Sequence, residues 1–167
     1  ATLDDELRTR LDRVQNLKQL LGRDNIFLDL RATDKQGVIT ELVDRLVQNG
    51  RLPNRKAALK AILERERKVS TGMENGVAIP HGKSDSVQDL VTALGIKKEG
   101  LDFESADGQP SRIFVMTLCP DNRPGPHLQF LGEISQLLDK AEIRRRLVEA
   151  ATVDEVLDIL GLSQPEG

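Results

Sequence analysis

The chain predicts an α/β layered fold, and three observations carry that prediction. Apolar residues recur three and four positions apart in segments at both ends of the sequence, the mark of helices with one buried face. Short apolar runs occupy the middle, notably Ile113-Phe114-Val115-Met116-Thr117-Leu118-Cys119. Helical patterns lie between and around these runs, which is how helices come to layer on a sheet. A chain of 167 residues suits one compact domain, large enough to bury roughly two-thirds of its unfolded surface.

Taken in order, Leu3, Leu7, Leu11, Val14, Leu17 and Leu21 mark an amphipathic helix that Gly22 is placed to end. Ile26 to Leu30 reads as a short strand. A helix follows Asp34, with Val38, Ile39, Leu42, Val43, Leu46 and Val47 on its inner face, and stops at Asn49-Gly50. Asn54 is a good N-cap for a third helix, which turns Ala58, Leu59, Ile62 and Leu63 inward and runs to Lys68. A strand then delivers His81, and two further strands fit residues 90–96 and 112–119, with the turn-rich stretch Ser105 to Pro110 between them. After the loop from Pro120 to Pro126 a helix starts near His127, with Leu128, Leu131, Ile134, Leu137 and Leu138 apolar. A short helix covers 141–150. Thr152 with Glu155 three positions on gives a capping-box pattern for a last helix that buries Val156, Leu157, Ile159 and Leu160. No internal repeat or low-complexity tract is present, and residues 163–167 are expected to fray.

Composition narrows the function classes. Tyr and Trp are absent and only 4 Phe occur, so stacking platforms for bases are scarce. A net charge of −3 with both signs interspersed leaves no basic footprint for nucleic acid. The strand-like apolar run ending at Cys119 is far shorter than the roughly 20 residues that span a bilayer, so direct membrane insertion is not expected. Cys119 has no partner for a disulfide, which fits a reducing compartment and a cytoplasmic location. No leader pattern opens the chain. It begins Ala1-Thr2 without a methionine, as a processed or excised chain would.

The most informative segment is Ser70-Thr71-Gly72-Met73-Glu74-Asn75-Gly76-Val77-Ala78-Ile79-Pro80-His81-Gly82-Lys83. It presents one of only two histidines at a strand end, between a rigid proline and a residue with no side chain. Neutral imidazole is nucleophilic at neutral pH. A metal centre needs three or more converging ligands, and two histidines with no His-x-x-His or Cys-x-x-Cys spacing do not supply them. A structural histidine at a strand end is the remaining alternative. The surroundings suit phosphoryl chemistry, which asks a protein for positioning and for donors around developing anionic oxygens. Ser70, Thr71 and Gly72 offer hydroxyls and a pliable backbone, and Gly76 and Gly82 permit close approach. Arg65 is placed to offer a positive fork, although Arg65-Glu66-Arg67-Lys68 also reads as a solvated helix end complementing the dipole. His127, in the first turn of its helix, should stay neutral against that dipole. Lys83 and Asp85 read as surface residues.

At this point the sequence resembles a family. The histidine segment is similar to the signature of enzyme IIA domains of the fructose/mannitol type, from the phosphoenolpyruvate-dependent sugar phosphotransferase system. Nitrogen-regulatory enzyme IIA proteins share the pattern. Asn25-Ile26-Phe27-Leu28-Asp29-Leu30, Glu64-Arg65-Glu66, Asp102-Phe103, Asp107-Gly108-Gln109-Pro110, His127-Leu128-Gln129-Phe130-Leu131 and Thr152-Val153-Asp154-Glu155-Val156-Leu157 fall in family order. The resemblance implies a three-layer α/β/α sandwich with a mixed central sheet. It implies that His81 accepts a phosphoryl group from the phosphocarrier HPr and passes it to a cysteine of enzyme IIB. His127 would support the phosphorylated ring, Arg65 would neutralise the phosphate, and no cofactor or metal is needed. Glu74 departs from the family's usual small residue and is expected to point outward.

Three segments are therefore expected: an N-terminal helical extension over 1–21, an enzyme IIA-like domain over 22–162, and a tail over 163–167. The extension is a linker, a short dimerising coil that would make a homodimer, or an added helix packed on the domain. Two functions stay open. One is phosphoryl relay in sugar uptake. The other is a regulatory module whose His81 phosphorylation switches its interface with a protein target.

Overall fold

A computed structural model describes residues 2–163, apart from the side chains of Arg13 and Val14. The core position expected of Val14, and the frayed tail beyond Ser163, lie outside the described residues. Helix α1 (Leu3–Leu20) is followed by a 3-10 turn (Arg23–Asn25), strand β1 (Ile26–Phe27), helix α2 (Lys35–Gln48) and helix α3 (Arg55–Lys68). Strands β2 (Val77–Ala78), β3 (His81–Lys83), β4 (Val91–Leu101) and β5 (Ser111–Cys119) come next, then helices α4 (Pro124–Leu138), α5 (Ala141–Glu149) and α6 (Val153–Ile159).

The sheet runs β1-β4-β5-β2, with β3 also pairing to β5. Only β4 and β5 are antiparallel; β1 lies parallel to β4, and β2 and β3 parallel to β5. Alternation along β5 sorts its side chains between two cores, as the period of a strand requires. Phe114, Met116 and Leu118 join Val38, Ile39, Leu42 and Leu46 of α2 and Ala58 and Ile62 of α3. Ile113 and Val115 face the opposite way, into Phe130, Ile134 and Leu138 of α4, Leu147 of α5, Val156 of α6 and Leu17 and Leu21. Helices thus cover both faces of a mixed sheet, the three-layer α/β/α arrangement.

The capping residues do their expected work. Asp34 and Asn54 accept from the amides of Gly37 and Ala57 at 2.7 and 3.0 Å, satisfying donors that a helix start leaves without partners. Thr152 accepts from the Glu155 amide at 3.1 Å, but the Glu155 carboxylate returns to Ala151 and not to Thr152. A full reciprocal box instead opens α1, between Thr2 and Asp5.

Four boundaries differ from the sequence reading. The strand expected over Ile26 to Leu30 stops at Phe27. The single strand expected before His81 is two pieces, because Pro80 has no N–H for the ladder. Strand β4 continues to Leu101 through an irregularity after Ile96. Helix α4 starts at Pro124, three residues before His127, since proline at the first helical position lacks only an amide that has no partner there. Residues 124–126 of the stretch read as loop belong to its first turn.

Helix α1 is held at one end. Leu17 and Leu21 are buried, whereas Leu3, Leu7 and Leu11 on the continuing stripe are exposed. Full burial of a leucine side chain is worth about 1.5–3 kcal/mol, and the outer half of α1 gains only part of it, with Leu7 still 48% exposed. Its cap and its helix propensity add to the order there. No helix of the described residues is long and apolar enough to cross a membrane.

Candidate functional site

His81 opens β3, in register with Thr117 on β5, so both side chains leave the same face of the sheet, toward α4. What fixes the strand there is Gly82. A Cβ at that position would meet the main-chain carbon of Ala61 and nitrogen of Ile62, both at 2.9 Å. Strand β3 therefore lies against the backbone of α3, closer than any side chain allows. Behind it, the segment from Thr71 to Ile79 folds back on itself. Met73 N–H donates to Val77 and Ile79 N–H to Thr71 at 2.8 and 3.0 Å. Its tip holds Asn75 and Gly76 at φ of 63° and 78°, left-handed values that asparagine and glycine tolerate best. Asp107 braces the tip by accepting from Asn75 N–H at 3.0 Å, and that bond and the one from Gln109 N–H hold its carboxyl below the usual range.

The His81 ring is half-buried, and its Nδ1 lies 2.8 Å from the Ile79 carbonyl oxygen. A carbonyl only accepts, so Nδ1 carries the proton and donates it. In the neutral ring the lone pair is then on Nε2. The second histidine is adjacent: the rings of His81 and His127 are 5.6 Å apart, tilted by 45°. His127 is buried, and its Nε2 is 2.8 Å from the Thr117 hydroxyl. Burial pushes the His127 pKa down, and the charges of His81 and Lys83 push it further. At 5.6 Å two positive rings would repel by about 3 kcal/mol in an effective dielectric of about 20. The pair therefore favours at most one charge in the resting site. A phosphoryl group on one ring would reverse that preference and favour a proton on the other.

The other expected site residues fall in two groups. The hydroxyls and backbone of Ser70, Thr71 and Gly72 are tied into the scaffold and not aimed at His81. Ser70 Oγ donates to the Phe103 carbonyl at 2.7 Å and accepts from Gly72 N–H at 3.1 Å, and Thr71 Oγ1 donates to Glu66 at 2.5 Å. Gly72 is wedged against Ser105 and Phe103, where a Cβ would come within 2.6 Å of the Ser105 hydroxyl. Gly82 acts through the close packing just described. Arg65 lies one helical turn beyond Ala61, the residue that touches Gly82, and donates to the Val69 carbonyl at 2.9 Å. Glu74 and Lys83 are exposed.

Sequence reasoning missed two residues. Glu66, read as part of a solvated helix end, is buried on α3 with a side chain only 4% exposed. The signal was present: Ala58, Ile62 and Glu66 are spaced four apart on one stripe. Thr117 is the polar residue in the apolar run of β5, at the alternate position that continues Ile113 and Val115. Cys119 is buried, and burial raises its pKa. No group of three or more His, Cys, Asp or Glu is placed to hold a metal ion among the described residues.

Known proteins share this fold. Residues 19–162 match the model of the family described as phosphoenolpyruvate-dependent sugar phosphotransferase system, EIIA 2. The chain is 40% identical over 144 residues to the fructose-specific EIIABC component of Bacillus subtilis, matching 86% of this chain but only 23% of that protein. It is 35% identical to the fructose-specific EIIA component of Haloferax volcanii, matching 88% of this chain and 96% of that one. Among solved structures, the nitrogen regulatory protein IIA-Ntr of Neisseria meningitidis superposes with a TM-score of 0.75 at 27% identity, over 86% of this chain and 98% of that chain. Enzyme IIA mannitol of Escherichia coli gives 0.73 at 28% identity, over 84% and 98%. The family match extends over both histidines, the hairpin behind them and the whole sheet, and the chain belongs to the EIIA 2 family of the phosphoenolpyruvate-dependent sugar phosphotransferase system.

Proposed function

We infer that this chain is a histidine phosphocarrier, with His81 as nucleophile. The observation that carries the reading is the bond from His81 Nδ1 to the Ile79 carbonyl, which leaves the Nε2 lone pair free. That lone pair attacks the phosphorus of a phosphorylated HPr-like carrier; the bond from phosphorus to the carrier breaks and its electron pair returns to the carrier. A thiolate of an enzyme IIB partner then attacks the phosphorus, and the N–P bond breaks back to His81. His127 supports the phosphorylated ring, taking a proton once the phosphoryl charge is in place. Arg65, one turn past the contact of α3 with β3, supplies countercharge when a carrier docks. No cofactor takes part. A related solved complex joins Escherichia coli enzyme IIA mannitol to phosphorylated enzyme IIB, at 27% identity and a TM-score of 0.73, which supports a IIB partner here.

A regulatory role is the second reading, favoured by 28% identity to the nitrogen regulatory protein of Bradyrhizobium diazoefficiens. Self-association is read from the exposed stripe of Leu3, Leu7 and Leu11. An antiparallel pairing centred on Leu7 sets Asp4 and Glu6 beside Arg8 and Arg10 of a second copy. Sedimentation of a monomer at high concentration would rule that out.

The test is incubation with phosphoenolpyruvate, enzyme I and HPr, followed by intact-mass measurement. The wild type gains one phosphoryl group and His81→Ala gains none; equal labelling removes His81 from the role. Adding a fructose-type enzyme IIB then separates the two readings. Loss of the phosphoryl group to IIB supports relay, and its retention supports regulation. His127→Ala is expected to accept the group and hand it on slowly.

A further inference from the structure

Two carboxylates are buried among the described residues, Glu66 and Glu133, and the chemistry above makes no use of Glu66. Glu66 is 6% exposed and sits on the inner stripe of α3. Its two oxygens hold three partners. Oε1 accepts from Thr71 N–H at 2.8 Å and pairs with Lys35 Nζ at 2.7 Å, and Oε2 accepts from the Thr71 hydroxyl at 2.5 Å. Lys35 is itself anchored, over the Phe103 ring at 5.1 Å and against Glu104 at 3.1 Å. Burial alone would lower the Lys35 pKa, but the bonds and charges of Glu66 and Glu104 outweigh it and leave the pKa raised.

From Thr71 the tie continues to the nucleophile. The Thr71 carbonyl accepts from Ile79 N–H at 3.0 Å, and the Ile79 carbonyl accepts from His81 Nδ1 at 2.8 Å. Between them Pro80 narrows the backbone to one φ region, and its carbonyl accepts from Thr117 N–H at 3.0 Å. Each link passes through the covalent backbone of Thr71 or Ile79, so the path is a geometric tie and conducts no proton. A carboxylate clamp on residue 71 sets where residue 79 lies, and residue 79 sets which nitrogen of His81 is protonated.

We propose that Glu66 is a positioning residue for phosphoryl transfer, clamping Thr71 so that the Ile79 carbonyl holds His81 with its proton on Nδ1 and its lone pair on Nε2. This rests on the reading of His81 as nucleophile. Because Glu66 is buried, it does not touch an incoming carrier. Its loss therefore lowers the rate of transfer within the complex and leaves recognition of the carrier alone. Misplacement of a reacting group by about an ångström costs up to about a hundredfold.

The experiment compares wild type with Glu66→Ala, Glu66→Gln and Thr71→Val in two readouts. The first is nitrogen-15 NMR of the His81 ring in the unphosphorylated protein. The wild type shows Nδ1 protonated, and Glu66→Ala shows a mixture of tautomers. The second is single-turnover phosphorylation by phospho-HPr. Glu66→Ala loses between about tenfold and a hundredfold in maximal rate with an unchanged half-saturating HPr concentration. Glu66→Gln, which keeps one acceptor oxygen, recovers part of the loss. Should Glu66→Ala fail to fold, Thr71→Val removes the hydroxyl bond alone, and a partial shift of tautomer is expected there. A folded Glu66→Ala with the wild-type tautomer and rate overturns the proposal, as does an unmoved tautomer in Thr71→Val when Glu66→Ala is lost. A wild type that takes no phosphoryl group on His81 fails the reading of function instead, and the tautomer measurement stands independently of it.

Discussion

Gly82→Ala puts one methyl group where strand β3 meets α3. In the wild-type geometry that carbon would lie 2.9 Å from two main-chain atoms, of Ala61 and Ile62. Carbon contacts ordinarily sit near 3.5 Å or beyond, so the strand and the helix must part by about half an ångström. Neither obstacle is a flexible side-chain end, and both belong to a helix that packs Ala58 and Ile62 into the core. Overpacking of this kind costs about 1–3 kcal/mol. With a urea slope of about 2 kcal/mol per molar, the unfolding midpoint falls by about 0.5–1.5 M. Gly132→Ala is the control. It lies within α4, a Cβ there has nothing within 4 Å, and alanine is favoured over glycine in a helix by about 0.5–1 kcal/mol. Its midpoint should rise. The assay is urea denaturation followed by circular dichroism, with unchanged slopes required of both variants. A Gly82→Ala midpoint equal to wild type would refute the close packing of β3, and with it the account of how His81 is placed.

Two further predictions concern titration and access. Burial lowers the His127 pKa below the ordinary 6.5, so the unfolded chain binds a proton at a pH where the folded chain does not. This contribution to stability is intact above pH 6.5 and diminishes as pH falls below it. Urea midpoints of wild type should therefore decline faster on acidification than those of His127→Gln; parallel curves would show that the ring is not desolvated. Cys119 is buried with its thiol pKa raised by burial, so a thiol reagent should label it only as fast as the protein unfolds. Immediate stoichiometric labelling of native protein at pH 8 would contradict that packing.

Much of this architecture could be read from residue patterns, because it depends on local chemistry. The apolar spacing of α2 and α3 and the caps at Asp34 and Asn54 rest on contacts within a few residues. The fate of Ser70 and Thr71 does not. Their hydroxyls suit a phosphate as well as they suit Glu66 and the Phe103 carbonyl, and only the folded loop decides between them. Glu66 was misread for a related reason: charge argues for solvent, and the countercharge that permits burial comes from Lys35, 31 positions away by their numbers (66 − 35). Position on a helical stripe was the better guide there than residue type. The start of α4 shows the converse error, where Pro124 and Pro126 suggested a loop although proline suits a first helical turn. Pairing of the two histidines was the least legible feature. It depends on the parallel register of β3 with β5, which brings His81 beside Thr117 and so beside His127.

The central claim is that the fold presents one nitrogen of one histidine, and nitrogen-15 and phosphorus-31 NMR of the phosphorylated protein tests it most directly. The account predicts a single phosphohistidine, at His81, bonded through Nε2, with the Nδ1 proton still donated to the Ile79 carbonyl. A phosphoryl group on Nδ1 of His81, or on His127, would contradict it.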